Sequence, residues 1–151
     1  MTYKSNLLSK IKHYKAKIGV IGLGYVGLPL ACSFAKKKFQ VIGFDIDKNK
    51  VKKIKLNISY IKHISNLKIK NCSKNFKETN NFELINQVDV IILCLPTPVK
   101  KNLTPDLSYI TSRLKNAKKY FKKGQVLILE SSTYPGSTKQ IILPYLRNFT
   151  V

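Results

Sequence analysis

The chain has 151 residues, with 28 Lys+Arg against 7 Asp+Glu and a formal net charge of +21 at pH 7. That length holds one domain of ordinary size and is short for two; a hydrophobic fraction of 44% with 10% aromatics excludes a wholly disordered or fibrous chain. No apolar run approaches the ~20 residues that span a bilayer, and residues 1–17 are polar and Lys-dotted, without the apolar core of a secretory signal.

The charge first suggests a polyanionic partner. Nearly all of it is Lys, however, with Arg only at Arg113 and Arg147, and bidentate recognition of bases and phosphates favours Arg. The chain is also crowded with Lys, Asn and Ile and short of Ala, a compositional bias that accounts for the charge. The expectation is salt-dependent sticking to polyanions and no specific nucleic-acid partner. The three cysteines, Cys32, Cys72 and Cys94, have no metal-ligand spacing. An odd count without a signal peptide points to a reducing, cytoplasmic setting; without ligand spacing no metal is expected, and without a spanning run no membrane partner.

In chain order, residues 1–16 read as a basic N-terminal extension and 17–151 as the domain. Lys17–Ile21 is a short buried strand. Val26–Lys37 has helical period, with Leu30 and Phe34 on its apolar face. Gln40–Asp45 is a second strand and Lys48–Leu56 a second helix. Asn57–Asn75 is polar and reads as irregular, with Cys72 in a loop. Phe76–Thr79 is a weak strand and Phe82–Asn86 a short helix. Val88–Leu93 is nearly unbroken in apolar residues, as a strand buried on both faces should be. Pro96 and Pro98 end it. A helix capped by Asp106 or Ser108 runs to about Tyr120, and Gln125–Glu130 is a fifth strand. Ser137–Leu146 is a last helix, broken or bent at Pro144. Cys32 falls in a helix and Cys94 in a strand, so both read as buried apolar residues.

Short β-branched runs alternating with helical segments predict an α/β fold with a doubly wound, mostly parallel sheet. Such sheets commonly have six strands. Five are counted here, so the sequence reads as cut off before the last.

The sharpest motif is Gly22-Leu23-Gly24-Tyr25-Val26-Gly27, of the form G-x-G-x-x-G. A strand precedes it, a helix follows, and Asp45 ends the next strand 23 residues after Gly22. That context predicts a Rossmann-type dinucleotide site. Gly22 makes the tight turn, Gly24 lets a pyrophosphate approach, and Gly27 lets the helix pack close. The helix N-terminus offers free N–H groups to phosphate. Asp45 should accept hydrogen bonds from the adenosine ribose and repel a ribose phosphate. NAD is therefore favoured over NADP, although Lys48 and Lys50 nearby weaken that discrimination; FAD is a further alternative. Ligands of open parallel sheets bind beyond the carboxyl ends of the strands. Two hydroxyl-rich loops belong there, Cys94–Val99 with Pro96-Thr97-Pro98 and Glu130–Gly136 with Ser131, Ser132 and Thr133. Either loop alone would be ordinary turn chemistry.

Ile18–Leu30, Ile42–Asp47, Leu56–Ser65, Asp89–Val99, Pro105–Tyr109 and Glu130–Gly136 together resemble the nucleotide-sugar dehydrogenases, which oxidise the C6 alcohol of a UDP-sugar to a carboxylate. The Ser59–Ile64 and Pro105–Tyr109 pieces look most like the UDP-N-acetylglucosamine or N-acetylmannosamine branch. The resemblance implies an NAD-binding domain with Gly22, Gly24, Tyr25, Val26 and Gly27 as phosphate loop. It implies Asp45 at the ribose, Lys50 near the adenosine, and Pro96, Thr97 and Ser132 in the cofactor-contacting loops. Thr133 would sit near the nicotinamide and the reacting carbon in a supporting catalytic role. The family's nucleophilic cysteine and most of its UDP-sugar site belong to segments that this sequence does not contain, and full family members can dimerise. The Leu56–Tyr60 stretch is shorter than the family's loop there and lacks its glycine. This span alone is therefore expected to bind NAD without dehydrogenating a UDP-sugar. The alternatives are the cofactor domain of another β-hydroxyacid-type dehydrogenase, a basic nucleic-acid-binding remnant, or a poorly folding one.

Overall fold

A computed structural model describes residues 2–146. Its centre is a parallel sheet of five strands: β1 (Lys17–Ile21), β2 (Gln40–Phe44), β3 (Phe76–Thr79), β4 (Val90–Leu93) and β5 (Val126–Leu129). Their order across the sheet is β3-β2-β1-β4-β5. The helices are α1 (Tyr3–Lys12), α2 (Gly27–Lys36), α3 (Lys48–Lys55), α4 (Asn66–Cys72), α5 (Ser108–Ala117) and α6 (Leu143–Leu146).

Alternation along the strands sorts the core into two layers. Val20, Val90 and Ile92 face one side, where Leu28, Ala31, Cys32, Ile54 and Ile69 bring α2, α3 and α4 onto the sheet. Ile21, Phe44, Ile91 and Leu93 face the other, under Ile110 and Leu114 of α5 and Ile142 ahead of α6. All four residues of β4 are buried. Each fully buried Leu or Ile of this kind stabilises the fold by roughly 1.5–3 kcal/mol. The helical cover changes sides between β1 and β4, which makes that boundary the topological switch point of the sheet.

Register decides where chemistry can collect. Ile21 is opposite Phe44 on one side and Leu93 on the other, and Leu93 is opposite Leu129. Four strands thus end level, and the next residues, Gly22, Asp45, Cys94 and Glu130, emerge in one row.

The expected strands and the helices α2, α3 and α5 are present, β1 and β3 with the expected bounds and the others with ends shifted by up to three residues. Three readings need correction. The stretch 57–75 is irregular only as far as residue 65: Ser65 caps α4 by accepting the Lys68 N–H, and Ile61, Ile64, Ile69 and Cys72 are buried. Cys72 is therefore a core residue, with its sulfur 2.6 Å from that of Cys32. Neither Asp106 nor Ser108 is the cap of α5. Leu107 stands there, while Asp106 takes the Ser108 N–H from one position further out. Pro144 does not break the last helix. The backbone widens to π spacing over Thr138–Ile142 and runs straight on into α6, an adjustment that accommodates the missing N–H of Pro144 inside a continuous helical run.

Residues 3–12 of the basic extension form α1, capped by Thr2. Lys10 Nζ lies 2.6 Å from Asp89 Oδ1, and Asp89 Oδ2 accepts the Lys17 N–H at 2.9 Å. One carboxylate thus pins both α1 and the start of β1. Beside α1, Leu7, Phe34, Val126 and Ile128 line an apolar groove of about 660 Å³ along β4 and β5. Arg147 and the rest of 147–151 lie outside the described residues.

Candidate functional site

A second cavity, of about 510 Å³, opens beyond the level strand ends. Although smaller than the apolar groove, it has the polar groups and the backbone geometry of a ligand site.

The turn out of β1 builds its floor. Gly22 has φ +94°, and a Cβ there would lie 2.5 Å from the Cys94 carbonyl oxygen. Gly27 opens α2 so close to this turn that a Cβ would stand 1.8 Å from the Gly22 carbonyl oxygen. Gly24 differs: nothing lies within 4 Å of the place its Cβ would take. Its lack of a side chain leaves space on the cavity side, which packing does not require. The N–H groups of Gly24, Tyr25, Val26 and Gly27 meet no protein acceptor among the described residues, and no side chain caps α2. Such a helix start can bind phosphate oxygens.

Asp45 stands beside this turn, 7% exposed. Its Oδ2 accepts the Leu23 N–H and its Oδ1 the Asp47 N–H, each at 2.9 Å, and Lys50 Nζ lies 3.8 Å from Oδ2. A carboxylate offers about four acceptor positions, so capacity for ribose hydroxyls remains. Pro96 and Thr97 follow β4, and Ser132 follows β5. The two loops are stitched together: Ser131 Oγ receives the Leu95 N–H and donates to the Leu95 carbonyl, and Thr97 Oγ1 donates to the Ser132 carbonyl at 2.7 Å. Cys94 is half-buried in the wall; burial, and then the Glu130 charge, push its thiol up to about 11.

Of the predicted residues, Gly22, Gly24, Tyr25, Val26, Asp45, Lys50, Pro96, Thr97 and Ser132 line this one cavity. Gly27 is buried beneath it. Thr133 is not in the lining; its Oγ1 accepts the Tyr134 N–H. The sequence reading missed Tyr109 and Arg113 of α5, which close the far wall. It took Ser59–Ile64 for its resemblance but gave no role to Tyr60, whose hydroxyl donates to the Leu23 carbonyl. Arg113, one of only two arginines, carried a compositional signal, and Tyr60 lies in the Ser59–Ile64 piece that carried the resemblance.

An adenine dinucleotide fits these groups. There is open space over Gly24, a row of free N–H donors, and a buried carboxylate with acceptor capacity to spare. The family model of the UDP-glucose/GDP-mannose dehydrogenase family, NAD binding domain, matches residues 16–150. The chain belongs to this family. The match makes residues 16–150 an NAD-binding domain and favours this family over other β-hydroxyacid-type dehydrogenases. A UDP-N-acetyl-D-glucosamine 6-dehydrogenase from Pseudomonas aeruginosa is 35% identical over 134 residues, 89% of this chain and 31% of that protein. A UDP-N-acetyl-D-mannosamine dehydrogenase from Campylobacter jejuni is 38% identical over 126 residues, 83% of this chain and 31% of its own length. Among solved structures, the NDP-N-acetyl-D-galactosaminuronic acid dehydrogenase from Methanosarcina mazei superposes with a TM-score of 0.82 at 30% identity, over 99% of this chain and 34% of that one. The chain thus spans about a third of the length of these relatives. Among the described residues, no helix is long and apolar enough to cross a membrane.

Proposed function

We propose that this domain holds the cofactor for a UDP-sugar 6-dehydrogenase that oxidises a C6 alcohol to a carboxylate, with UDP-N-acetylglucosamine the leading substrate. The observation that carries this reading is the convergence of the glycine turn, Asp45 and the two stitched loops on one cavity at the switch point. Similarity to UDP-N-acetylhexosamine dehydrogenases supports the substrate class.

In this reading the N–H groups of Gly24, Tyr25, Val26 and Gly27 take the pyrophosphate, and Gly22 shapes the turn. Asp45 accepts the ribose hydroxyls, and Lys50 lies over the adenosine side. Pro96, Thr97 and Ser132 form the wall at the nicotinamide end, with Thr133 just beyond it toward the substrate. When bound, NAD supplies the hydride acceptor. The domain's own work is to bind, orient and shield that group. Its thiols are unsuited to attack an aldehyde: Cys32 and Cys72 are buried, and Cys94 is held protonated at neutral pH. Residues 1–151 alone therefore bind NAD and produce no NADH. The setting is the cytosol, where these cysteines stay thiols. The UDP-sugar and any dimer partner engage through further family segments, and no specific nucleic acid is involved.

Titration calorimetry of the 151-residue chain tests this reading, alongside an absorbance assay with UDP-N-acetylglucosamine and NAD. NAD binding, tighter than NADP, with no absorbance rise supports it. Absence of NAD binding, or steady NADH production by this chain, overturns it.

A further inference from the structure

We propose that Tyr60 is a positioning residue for the phosphate-binding turn, holding the Leu23 carbonyl and so fixing the direction of the Gly24 N–H. The proposal rests on the cofactor reading above.

The Leu23 residue is gripped at both backbone groups. Its N–H donates to Asp45 Oδ2 at 2.9 Å, and its carbonyl accepts the Tyr60 hydroxyl at 2.5 Å. Its side chain is fully buried. The Leu23–Gly24 peptide is trans, and in a planar trans peptide the carbonyl and the following N–H point in opposite directions. A carbonyl tied toward Tyr60 turns the Gly24 N–H away from Tyr60, on the side where Gly24 lines the cavity. The Gly24 carbonyl is held on its far side by the Leu28 N–H at 3.1 Å, but Gly24 has no side chain to fix its N–H, and nothing lies within 4 Å of the place its Cβ would take. Glycine is also the residue with the most backbone freedom to lose. Asp45 orders the peptide before Leu23, and Tyr60 orders the peptide after it.

Tyr60 can serve because its own segment is fixed. Ile61 and Ile64 are buried on either side of the exposed Lys62 and His63. The Ser59 N–H donates to Asn66 Oδ1 at 2.7 Å. The Tyr60 ring packs against the core layer under α2, and Lys50 Nζ stands 6.0 Å from its centroid. The same segment meets the turn a second time, with the His63 and Tyr25 rings 5.9 Å apart. Burial, followed by the Asp45 and Asp47 charges, holds the Tyr60 phenol above its ordinary range, so the hydroxyl remains a donor at any working pH.

The test is Tyr60→Phe in the 151-residue chain, which removes one oxygen and keeps the ring. NAD, ADP and adenosine are titrated against both proteins, and melting is followed in parallel. A lost donor to a backbone carbonyl should weaken NAD and ADP about five- to tenfold. Adenosine, which lacks the phosphates, should bind as before, and melting should fall by only a few degrees, from the one carbonyl left without its donor. Equal NAD affinity in the two proteins overturns the proposal, as does an equal loss for adenosine and ADP, which would mark general damage. Proton NMR of the unsubstituted, ligand-free chain gives an independent reading should the variant not fold. A slowly exchanging Tyr60 hydroxyl proton close to the Leu23–Gly24 peptide is expected, and a freely exchanging one overturns the proposal. Wild-type chain that ignores NAD overturns the cofactor reading, and this proposal with it.

Discussion

The Gly22 carbonyl oxygen occupies the space that a side chain at Gly27 would need, 1.8 Å from where its Cβ would be. The first and last glycines of the fingerprint therefore touch, and α2 can start this close to the turn because Gly27 has no Cβ. Gly27→Ala drives a methyl group into backbone that cannot yield. It should cost about 3 kcal/mol or more and abolish NAD binding by displacing the turn. Gly24→Ala should behave in the opposite way. With open space at its Cβ, stability should stay within about 1 kcal/mol of the parent, while the methyl group takes the space meant for the pyrophosphate. Melting curves and NAD titrations of the two variants should separate cleanly into a folding defect and a binding defect.

Asp45 has two jobs that one substitution can part. Its carboxylate holds the Leu23 and Asp47 N–H groups and is placed to discriminate against a ribose phosphate. Asp45→Asn keeps an oxygen for one of those N–H groups and removes the charge. NAD affinity should fall roughly tenfold, in line with the loss of a charged hydrogen bond of about 1.5 kcal/mol. NADP affinity should fall less or rise, because Lys50, now 3.8 Å from Asp45 Oδ2, is left without its counter-charge. The ratio of the two dissociation constants is the measurement, and an unchanged ratio would remove Asp45 from cofactor selection.

The parts of this site legible in the sequence are those set by local geometry. G-x-G-x-x-G, a strand before it, a helix after it and an acid at the next strand end are fixed by period and spacing, so the turn between β1 and α2 and the place of Asp45 just after β2 could be read directly. The Pro96–Thr97 and Ser132 loops were legible because the strands before them, Val90–Leu93 and Val126–Leu129, are almost wholly apolar. What escaped depends on contacts distant in sequence. Tyr60 and Leu23 are 37 residues apart, and Arg113 reaches the cavity from a helix whose period says only which face is buried. Helix α4 was hidden by its shortness: seven residues with a single aliphatic–cysteine pair, Ile69 and Cys72, inside. Thr133 was carried over by resemblance, and the Tyr134 N–H that binds its hydroxyl turns on a local backbone conformation that no spacing rule reads.

At the opposite end of the sheet, Asp89 makes stability depend on pH. Burial raises its pKa, but the Lys10 hydrogen bond, the Lys17 N–H and the Lys10 and Lys122 charges outweigh burial and leave it below the ordinary carboxylate range. A carboxylate depressed in the folded state contributes stability above its unfolded pKa of about 3.9. That contribution is lost as pH falls through the lower folded value. Asp89→Asn should therefore destabilise the domain by about 1–2 kcal/mol at pH 7, with the gap to the parent closing below about pH 4. Lys10→Ala should cost less, because the Lys10 side chain is 39% exposed and exposed pairs contribute about 0–1 kcal/mol. Melting temperatures from pH 2 to 8 give both curves; parallel curves for Asp89→Asn and the parent would refute the linkage.

Cys94 offers a probe of the cavity that requires no substitution. Burial, then Glu130, hold its thiol at about 11, against about 8.5 for a free cysteine, so the folded state favours the protonated form. Since the thiolate is the reacting species, and a more basic thiolate is only partly compensated by its greater nucleophilicity, alkylation of Cys94 at pH 8 should run at least about tenfold slower than in the unfolded chain. It should then rise about tenfold per pH unit up to about pH 10. The same sign makes Cys94 lower the domain's stability as pH climbs past 8.5, where the unfolded thiol ionises first. Cys32 and Cys72, sealed in the core, should label only on unfolding. Because Cys94 lines the same cavity as Gly24 and Asp45, saturating NAD should slow its labelling further, and NADP at the same concentration should slow it less. Peptide mapping after timed alkylation reads all three thiols at once. Protection of Cys94 that is equal with and without NAD would mean that the dinucleotide, if it binds, binds elsewhere.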